Sequence, residues 1–362
     1  MKDLRGCCSS VKLGENTGND RFNAISPRCR KRIPQDENTH DPTTYRRSPL
    51  MPGAYAHLTL VNLVREPARL ESHGFPPEAI VPVLDYFRFC ELGAISPDYP
   101  YLDISHPDAC QWADRMHYQK TGDMVKTGID LIRKLDGPSQ QKTFAWVLGY
   151  TSHVVTDVTI HPVVELKVGE YQKNKGRHRI CEMHQDAYIF QRLNIGEIGL
   201  AEHLDSGIWG CCAPPGSGKL DTAVAGTWQR MLEVCYSDAY QTQPPVIDDW
   251  HGSFKFIVDK AEEGNALPPF ARHVAANIGL TYPAISDLDP QYLEALETPL
   301  GAMHYDQIFD RAMENVLDAW AHVADAVFRN SNTYQTAAVN WNLDTGRDQT
   351  GSYVYWQEKK LA

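Results

Sequence analysis

Long apolar runs are missing from this 362-residue chain. No stretch approaches the ~20 consecutive hydrophobic residues of a spanning helix. The first thirty residues hold no apolar segment of the kind that precedes a secretory cleavage site, so the expectation is a cytoplasmic protein with no transmembrane segment. An excess of positive charge is missing too. Lys and Arg number 35 against 46 Asp and Glu, a formal net charge of −11, which excludes general affinity for polyanionic nucleic acid over the whole surface. A local basic groove stays open. The nine cysteines form no C-x-x-C spacing and are odd in number, which argues against a disulfide framework and leaves most of them as small buried hydrophobes. Alternating strand patterns are nearly absent as well.

What is present is globular. Hydrophobic residues at 42% and charged residues at 22% sit near the averages for packed domains. Residues 1 to 50 are the exception, being polar, rich in Asn, Asp, Arg, Ser and Pro, and without periodicity. They are expected to be a disordered N-terminal extension, with Arg28, Arg30, Lys31 and Arg32 as a solvated basic patch. From Met51 the character changes. Helical spacing of apolar residues predicts helices over 54 to 65, 77 to 91, 108 to 118, 122 to 136, 139 to 168, 178 to 193, 221 to 238, 252 to 263 and 302 to 329. The fold class is therefore all-α, a single multi-helix domain over 51 to 330. A tail over 331 to 362 is expected to pack on the surface or stay mobile.

Chemistry concentrates in the apolar helix around residue 155. His153, Asp157 and His161 recur every fourth residue, so at 3.6 residues per turn they share one face. His178 and Glu182 repeat the spacing on the next helix, and Asp186 continues that stripe. One His-x-x-x-Asp is ordinarily a surface ion pair. Here the neighbours are apolar, and charges inside a buried helix require partners or a cation, so two successive stripes of imidazole and carboxylate point to zinc. Upstream, His57 lies in the first apolar run, Asp98 follows Pro97 at a helix-to-loop junction, and His117 sits in the helix after it. Taken singly, Asp98 reads as a turn residue, and His57 or His117 as a hydrogen-bonded structural histidine.

In order, His57, Pro97-Asp98, His117, His153-x-x-x-Asp157-x-x-x-His161 and His178-x-x-x-Glu182 resemble the zinc-dependent phospholipase C family, the helical group related to the S1/P1 nucleases. The resemblance spans about residues 51 to 190. It implies two or three zinc ions. His117, His153 and Asp157 would hold one, His161, His178 and Glu182 a second, and Asp157 would bridge towards a third held also by His57. Asp98 would stand beside the bridging water as base or orienting group. Two departures accompany the likeness. The secreted enzymes place a longer gap with a Gln-Pro step between the bridging aspartate and the next histidine, whereas Asp157 reaches His161 in one turn. They also chelate through an N-terminal tryptophan, and no such Trp is found here. If translation starts at Met51, removal of that residue would free the amine of Pro52 for the same purpose.

The activity expected is hydrolysis of a phosphodiester by metal-activated water, with a phospholipid headgroup the first substrate candidate and nucleic acid a partner only as substrate. A nuclease or nucleotidase with the same metals is the second reading, and a noncatalytic helical scaffold that keeps zinc for stability the third. Asp114, Asp186 and His184 are candidates for orienting the imidazoles, although surface solvation is favoured for His184. Tyr55, Phe87, Tyr99 and Tyr101 are candidates to stack on a base or line a choline cage, against the commoner fate of core packing. Gly216-Ser217-Gly218-Lys219 lacks the remaining positions of a phosphate-binding P-loop and reads as a surface turn. Residues 195 to 330 carry no motif and are expected to pack round the metal core and shape substrate choice.

Overall fold

A computed structural model describes residues 53–103, 106–195, 207–215, 217–254 and 282–357. The N-terminal extension, Pro52 and most of the helix expected over 252 to 263 lie outside the described residues. The described residues include the helices α1 (Ala54–Val64), α2 (Pro67–Ser72), α3 (Pro77–Asp85), α4 (Phe87–Ile95), α5 (Cys110–Tyr118), α6 (Thr121–Ile132), α7 (Gly137–Val168), α8 (Tyr171–Ile189), α9 (Thr222–Cys235), α10 (Ser237–Thr242), α11 (Tyr305–Arg329) and α12 (Tyr334–Ala337). Among the described residues the fold is all-α apart from two isolated bridges and an antiparallel pair of two-residue strands, β1 (Trp341–Asn342) with β2 (Arg347–Asp348). Among the described residues, no helix is long and apolar enough to cross a membrane.

The axis of the molecule is α7. Its 32 residues extend roughly 48 Å at 1.5 Å per residue. Gly137 at φ +52 and Pro138 start it, and Gly169 at φ +91 ends it. From Thr143 to Ile160 every side chain is buried, the pattern of a helix surrounded on all sides. α4 lies against it at backbone contact. A Cβ on Gly149 would fall 1.9 Å from the Cys90 carbonyl oxygen, and one on Gly93 would fall 2.1 Å from that of Trp146. Only glycines allow the two helices to meet there. On another side α11, capped by a reciprocal His304 and Gln307 box, sends the Trp320 indole N–H to the Leu148 carbonyl at 2.8 Å. α9 begins at Asp221, whose carboxylate accepts from the Ala223 and Val224 N–H groups and pairs with Lys142 of α7 at 2.8 Å.

The stretch expected as one helix over 77 to 91 is two, because the chain leaves helical geometry at Tyr86 (φ −114, ψ 25). This turn redirects α4 along α7. α8 starts at Tyr171, seven residues before the expected position, with a kink at Asn174. Beyond α11, Trp341, Leu343 and Trp356 are buried, so much of the segment expected on the surface packs into the body of the fold. The thiols of Cys90, Cys181, Cys211, Cys212 and Cys235 are buried, in keeping with their expected role as small hydrophobes.

Candidate metal centre

Five elements converge on one buried cluster. α1 brings His57, the turn Ser96–Leu102 brings Asp98, α5 brings His117, α7 brings His153, Asp157 and His161, and α8 brings His178 and Glu182. The turn that carries Asp98 is anchored from behind, since Ser96 Oγ donates to the Leu92 carbonyl and accepts from the Trp146 indole N–H. Asp157 is the centre. Its Oδ1 lies 3.1 Å from His57 Nε2 and 3.6 Å from His161 Nε2, and its Oδ2 lies 3.2 Å from His153 Nε2. Glu182 Oε1 stands 3.1 Å from His161 Nε2 and 3.2 Å from His178 Nε2. His117 Nε2 is 3.1 Å from Asp98 Oδ1, 3.4 Å from His153 Nε2 and 3.9 Å from Asp157 Oδ2.

Three groups result, each with its candidate ligand atoms within 4.8 Å of one another: His57, His153 and Asp157; Asp98, His117 and His153; His161, His178 and Glu182. The last is the set that the resemblance implies for one ion. His117 falls nearer Asp98 than Asp157, and His153 is shared between the other two groups. The one-turn spacing from Asp157 to His161 lets the same carboxylate face both ends of the cluster.

The donor set fits a divalent cation. Two ligand atoms about 2.1 Å from one tetrahedral ion lie roughly 3.4 Å apart, and the short contacts above run from 3.1 to 3.6 Å. The ring orientations point the same way. His117 Nδ1 meets the Ala113 carbonyl at 2.8 Å, His153 Nδ1 the Ala94 carbonyl at 2.9 Å, and His161 Nδ1 the Leu343 carbonyl at 3.0 Å. A carbonyl only accepts, so each Nδ1 is the donor, and each neutral ring turns an Nε2 lone pair onto a carboxylate or a neighbouring lone pair. Asp157 Oδ2, buried, accepts no hydrogen bond. A cation is what such an assembly of acceptors lacks.

Without one, the cluster draws protons. Burial opposes charge on His117, but Asp98 and Asp157 outweigh it and raise that ring to about 9. Burial is likewise outweighed at His161 by Asp157 and Glu182, which raise it to about 10. On the acidic side, burial pushes Glu182 up, yet the His178 and His161 rings bring it down to about 2, and the histidines around Asp157 hold that carboxyl well below the ordinary range. Side-chain exposure is 1 to 6% for His57, His117, His153, Asp157 and His178, against 13 to 15% for His161, Glu182 and Asp98. The mouth therefore opens on the side of those three. Tyr101, Tyr118 and Tyr171 border it, with the Tyr101 ring 5.5 Å from His117 and the Tyr171 ring 4.9 Å from His178. The Tyr101 hydroxyl donates to Asp114 and that of Tyr118 to Asp344.

Other sequence candidates fall elsewhere. The described hydrogen bonds of Asp186 reach no imidazole, because its side of α8 faces the start of α1, where it accepts from the Gly53 N–H at 2.9 Å, the Ala56 N–H at 2.8 Å and the Tyr282 hydroxyl at 3.0 Å. α1 has no side-chain cap of its own, and Asp186 supplies that cap from 133 residues away. Asp114 reaches Tyr101 and no ring of the cluster through its described hydrogen bond. His184 is buried rather than solvated, its Nδ1 accepting from the Asp289 N–H, and burial lowers its pKa. Tyr55, Phe87 and Tyr99 are core residues, leaving Tyr101 as the aromatic candidate at the mouth. His251, to which the sequence assigns no role, is buried between Tyr99 and Cys212, where burial brings it down to about 4. The backbone acceptors Ala94 and Leu343 were invisible to sequence reasoning. The glycines at 93 and 149, the former two residues past one predicted helix and the latter within another, were the available signal for Ala94.

Fold and site together define a helical protein built round a buried histidine–carboxylate cluster that could hold metal ions. The chain belongs to the zinc-dependent phospholipase C family, whose model matches residues 56–238 and so includes all of the residues of the cluster. No curated protein and no solved structure matches it.

Proposed function

We propose that this protein is a zinc-dependent phosphoric ester hydrolase of the phospholipase C type, with a phosphodiester lipid headgroup as substrate. The observation that carries the reading is the convergence of five imidazole Nε2 atoms and three carboxylates at ligand spacing in a pocket that is open on one side. His57, His117, His153 and Asp157 at one end, and His161, His178 and Glu182 at the other, are the residues that would hold two or three ions, with Asp98 beside His117. Zinc bound there supplies Lewis acidity towards a phosphoryl oxygen and acidifies water towards neutral pH.

The chain's own groups do the rest. Burial raises the affinity of Asp98 for a proton, but the neighbouring His153 and His117 outweigh it, so the carboxylate is ionised and placed at the mouth to accept a proton or orient water. The Ala113, Ala94 and Leu343 carbonyls fix which nitrogen of each ring faces inward. A structural zinc site is closed by its protein ligands, whereas the residual exposure of Asp98, His161 and Glu182 leaves an approach for substrate, which favours an enzyme over a scaffold.

The rim favours lipid over nucleic acid. Tyr101, Tyr118 and Tyr171 with Asp114 and Asp344 present aromatic faces and negative charge, which suit an organic cation such as a quaternary ammonium and repel a polyanion. The test is a parallel assay on phosphatidylcholine vesicles and single-stranded DNA with zinc-loaded protein. Release of phosphocholine without DNA cleavage is expected. Cleavage of DNA in preference to lipid would replace this reading with the nuclease one.

A further inference from the structure

The segment from Val339 to Trp356 lies beyond the matched family region, yet it grips the metal centre from behind. We propose that this segment positions His161 and thereby sets how tightly the His161, His178 and Glu182 group holds its ion. The inference rests on the zinc reading above and assigns the segment a role in it.

The link begins with His161 Nδ1, which donates to the Leu343 carbonyl at 3.0 Å. His178 Nδ1, in the same group, is buried without a hydrogen-bond partner. Within that group Leu343 therefore orients the one ring that any Nδ1 hydrogen bond orients. Leu343 is itself held on several sides. Its N–H donates to the His117 carbonyl at 3.0 Å and its side chain is fully buried. Two residues before it, Trp341 exchanges two hydrogen bonds with Thr121 Oγ1, at 2.7 and 3.0 Å, and Asn340 pairs with Asp123. One residue after it, Asp344 Oδ2 accepts from the Tyr118 hydroxyl at 2.8 Å. The oxygen that orients His161 is thus fixed to α5 and to the start of α6.

The same segment clasps the turn of α7 that carries the ring. Pro162 has no N–H, so the Val158 carbonyl loses its helical donor and a gap opens beside His161. Gly346, at φ +65, fills that gap: an added Cβ would lie 2.3 Å from Pro162 Cγ and 2.5 Å from the Val158 oxygen. Farther along, the buried Trp356 donates its indole N–H to the Thr159 carbonyl at 2.9 Å. Segment and helix therefore fit on both sides of His161, and a shift of the segment moves the Leu343 oxygen away from the ring.

The test uses full-length protein titrated with zinc against a chromophoric chelator, and with cobalt(II) to read the visible spectrum of each bound ion. Gly346→Ala is expected to weaken one ion by about 10- to 100-fold, the range for loss of a partner that orients a ligand, to change that ion's cobalt spectrum, and to leave the others unaltered. Gly351→Ala is the control, because that residue also has positive φ (+82) but meets nothing within 4 Å, and it should behave as wild type towards metal. Trp356→Phe keeps the ring, removes the donor to Thr159, and should act in the same direction to a smaller extent, so it decides the matter if Gly346→Ala does not fold. Wild-type affinities at every ion in both variants, or an equal loss at all ions tracking a general loss of stability, would overturn the proposal. Failure of the wild type itself to bind zinc would instead remove the functional reading beneath it.

Discussion

Gly149→Ala should damage the metal centre without touching it. The added Cβ would sit 1.9 Å from the Cys90 oxygen and 2.8 Å from the Ala94 nitrogen, both backbone atoms of α4 that no rotamer change can move. Ordinary contact begins near 3.4 Å, so α4 must retreat from α7 by roughly 1.5 Å or the pair must strain in place. Overpacking of this kind costs about 1–3 kcal/mol, and contact with backbone places it at the upper end. Replacing glycine by alanine inside a helix returns about 1 kcal/mol, so the net loss expected is on the order of 2 kcal/mol. The retreat also carries the Ala94 carbonyl away from His153 Nδ1, lengthening a 2.9 Å hydrogen bond beyond bonding range. With the ring no longer oriented, zinc affinity in the groups that share His153 should fall by about 10- to 100-fold. Urea denaturation of metal-free protein measures the first effect and competitive chelator titration the second. A variant with unchanged stability and unchanged zinc affinity would refute the argument that glycine contact between α4 and α7 sets the site.

Other consequences can be checked separately. Asp98→Asn should retain the zinc content of wild type while hydrolysis falls by about 10²- to 10⁴-fold, the ordinary contribution of a positioned base; loss of zinc would make Asp98 a ligand instead. In metal-free protein, His117 and His161 bind protons up to about 9 and about 10, because the nearby carboxylates outweigh the burial that opposes charge. Folded pKa values above the unfolded ~6.5 mean that this stability is complete below about pH 6.5 and is lost as pH rises through 9 to 10. Denaturation midpoints of chelator-treated protein should decline over that window, and a flat or rising profile would contradict it. Asp186→Ala strips the cap from α1 and should lower stability by about 1–2 kcal/mol, with a wild-type thermal midpoint counting against the cap.

How much of this was legible in the sequence depends on whether side chains or backbone carry the signal. The stripe His153, Asp157, His161 and its echo at His178 and Glu182 could be read because ligands on a helix must repeat with its turn, and the structure brings those residues together with His57, Asp98 and His117. Asp186 obeys the same spacing and still turns to another task, since position on a stripe does not say what faces it. The break at Tyr86 was hidden because apolar residues such as Val83 and Phe87 keep helical spacing across it. The Leu343 carbonyl left no trace at all, because any residue there would offer the same oxygen. Gly346 and Pro162 were readable as glycine and proline but not as partners, being 184 positions apart in the chain.

The most direct test of the central claim is metal content by plasma mass spectrometry on purified protein, wild type beside Asp157→Ala, with hydrolysis of bis-p-nitrophenyl phosphate recorded on the same samples. Asp157 faces His57, His153 and His161 at once, so its removal should release zinc and abolish hydrolysis together. Two or three zinc ions per wild-type chain with activity, and the loss of both in the variant, is the predicted result. Wild-type protein that binds no zinc under zinc-replete conditions would contradict the account.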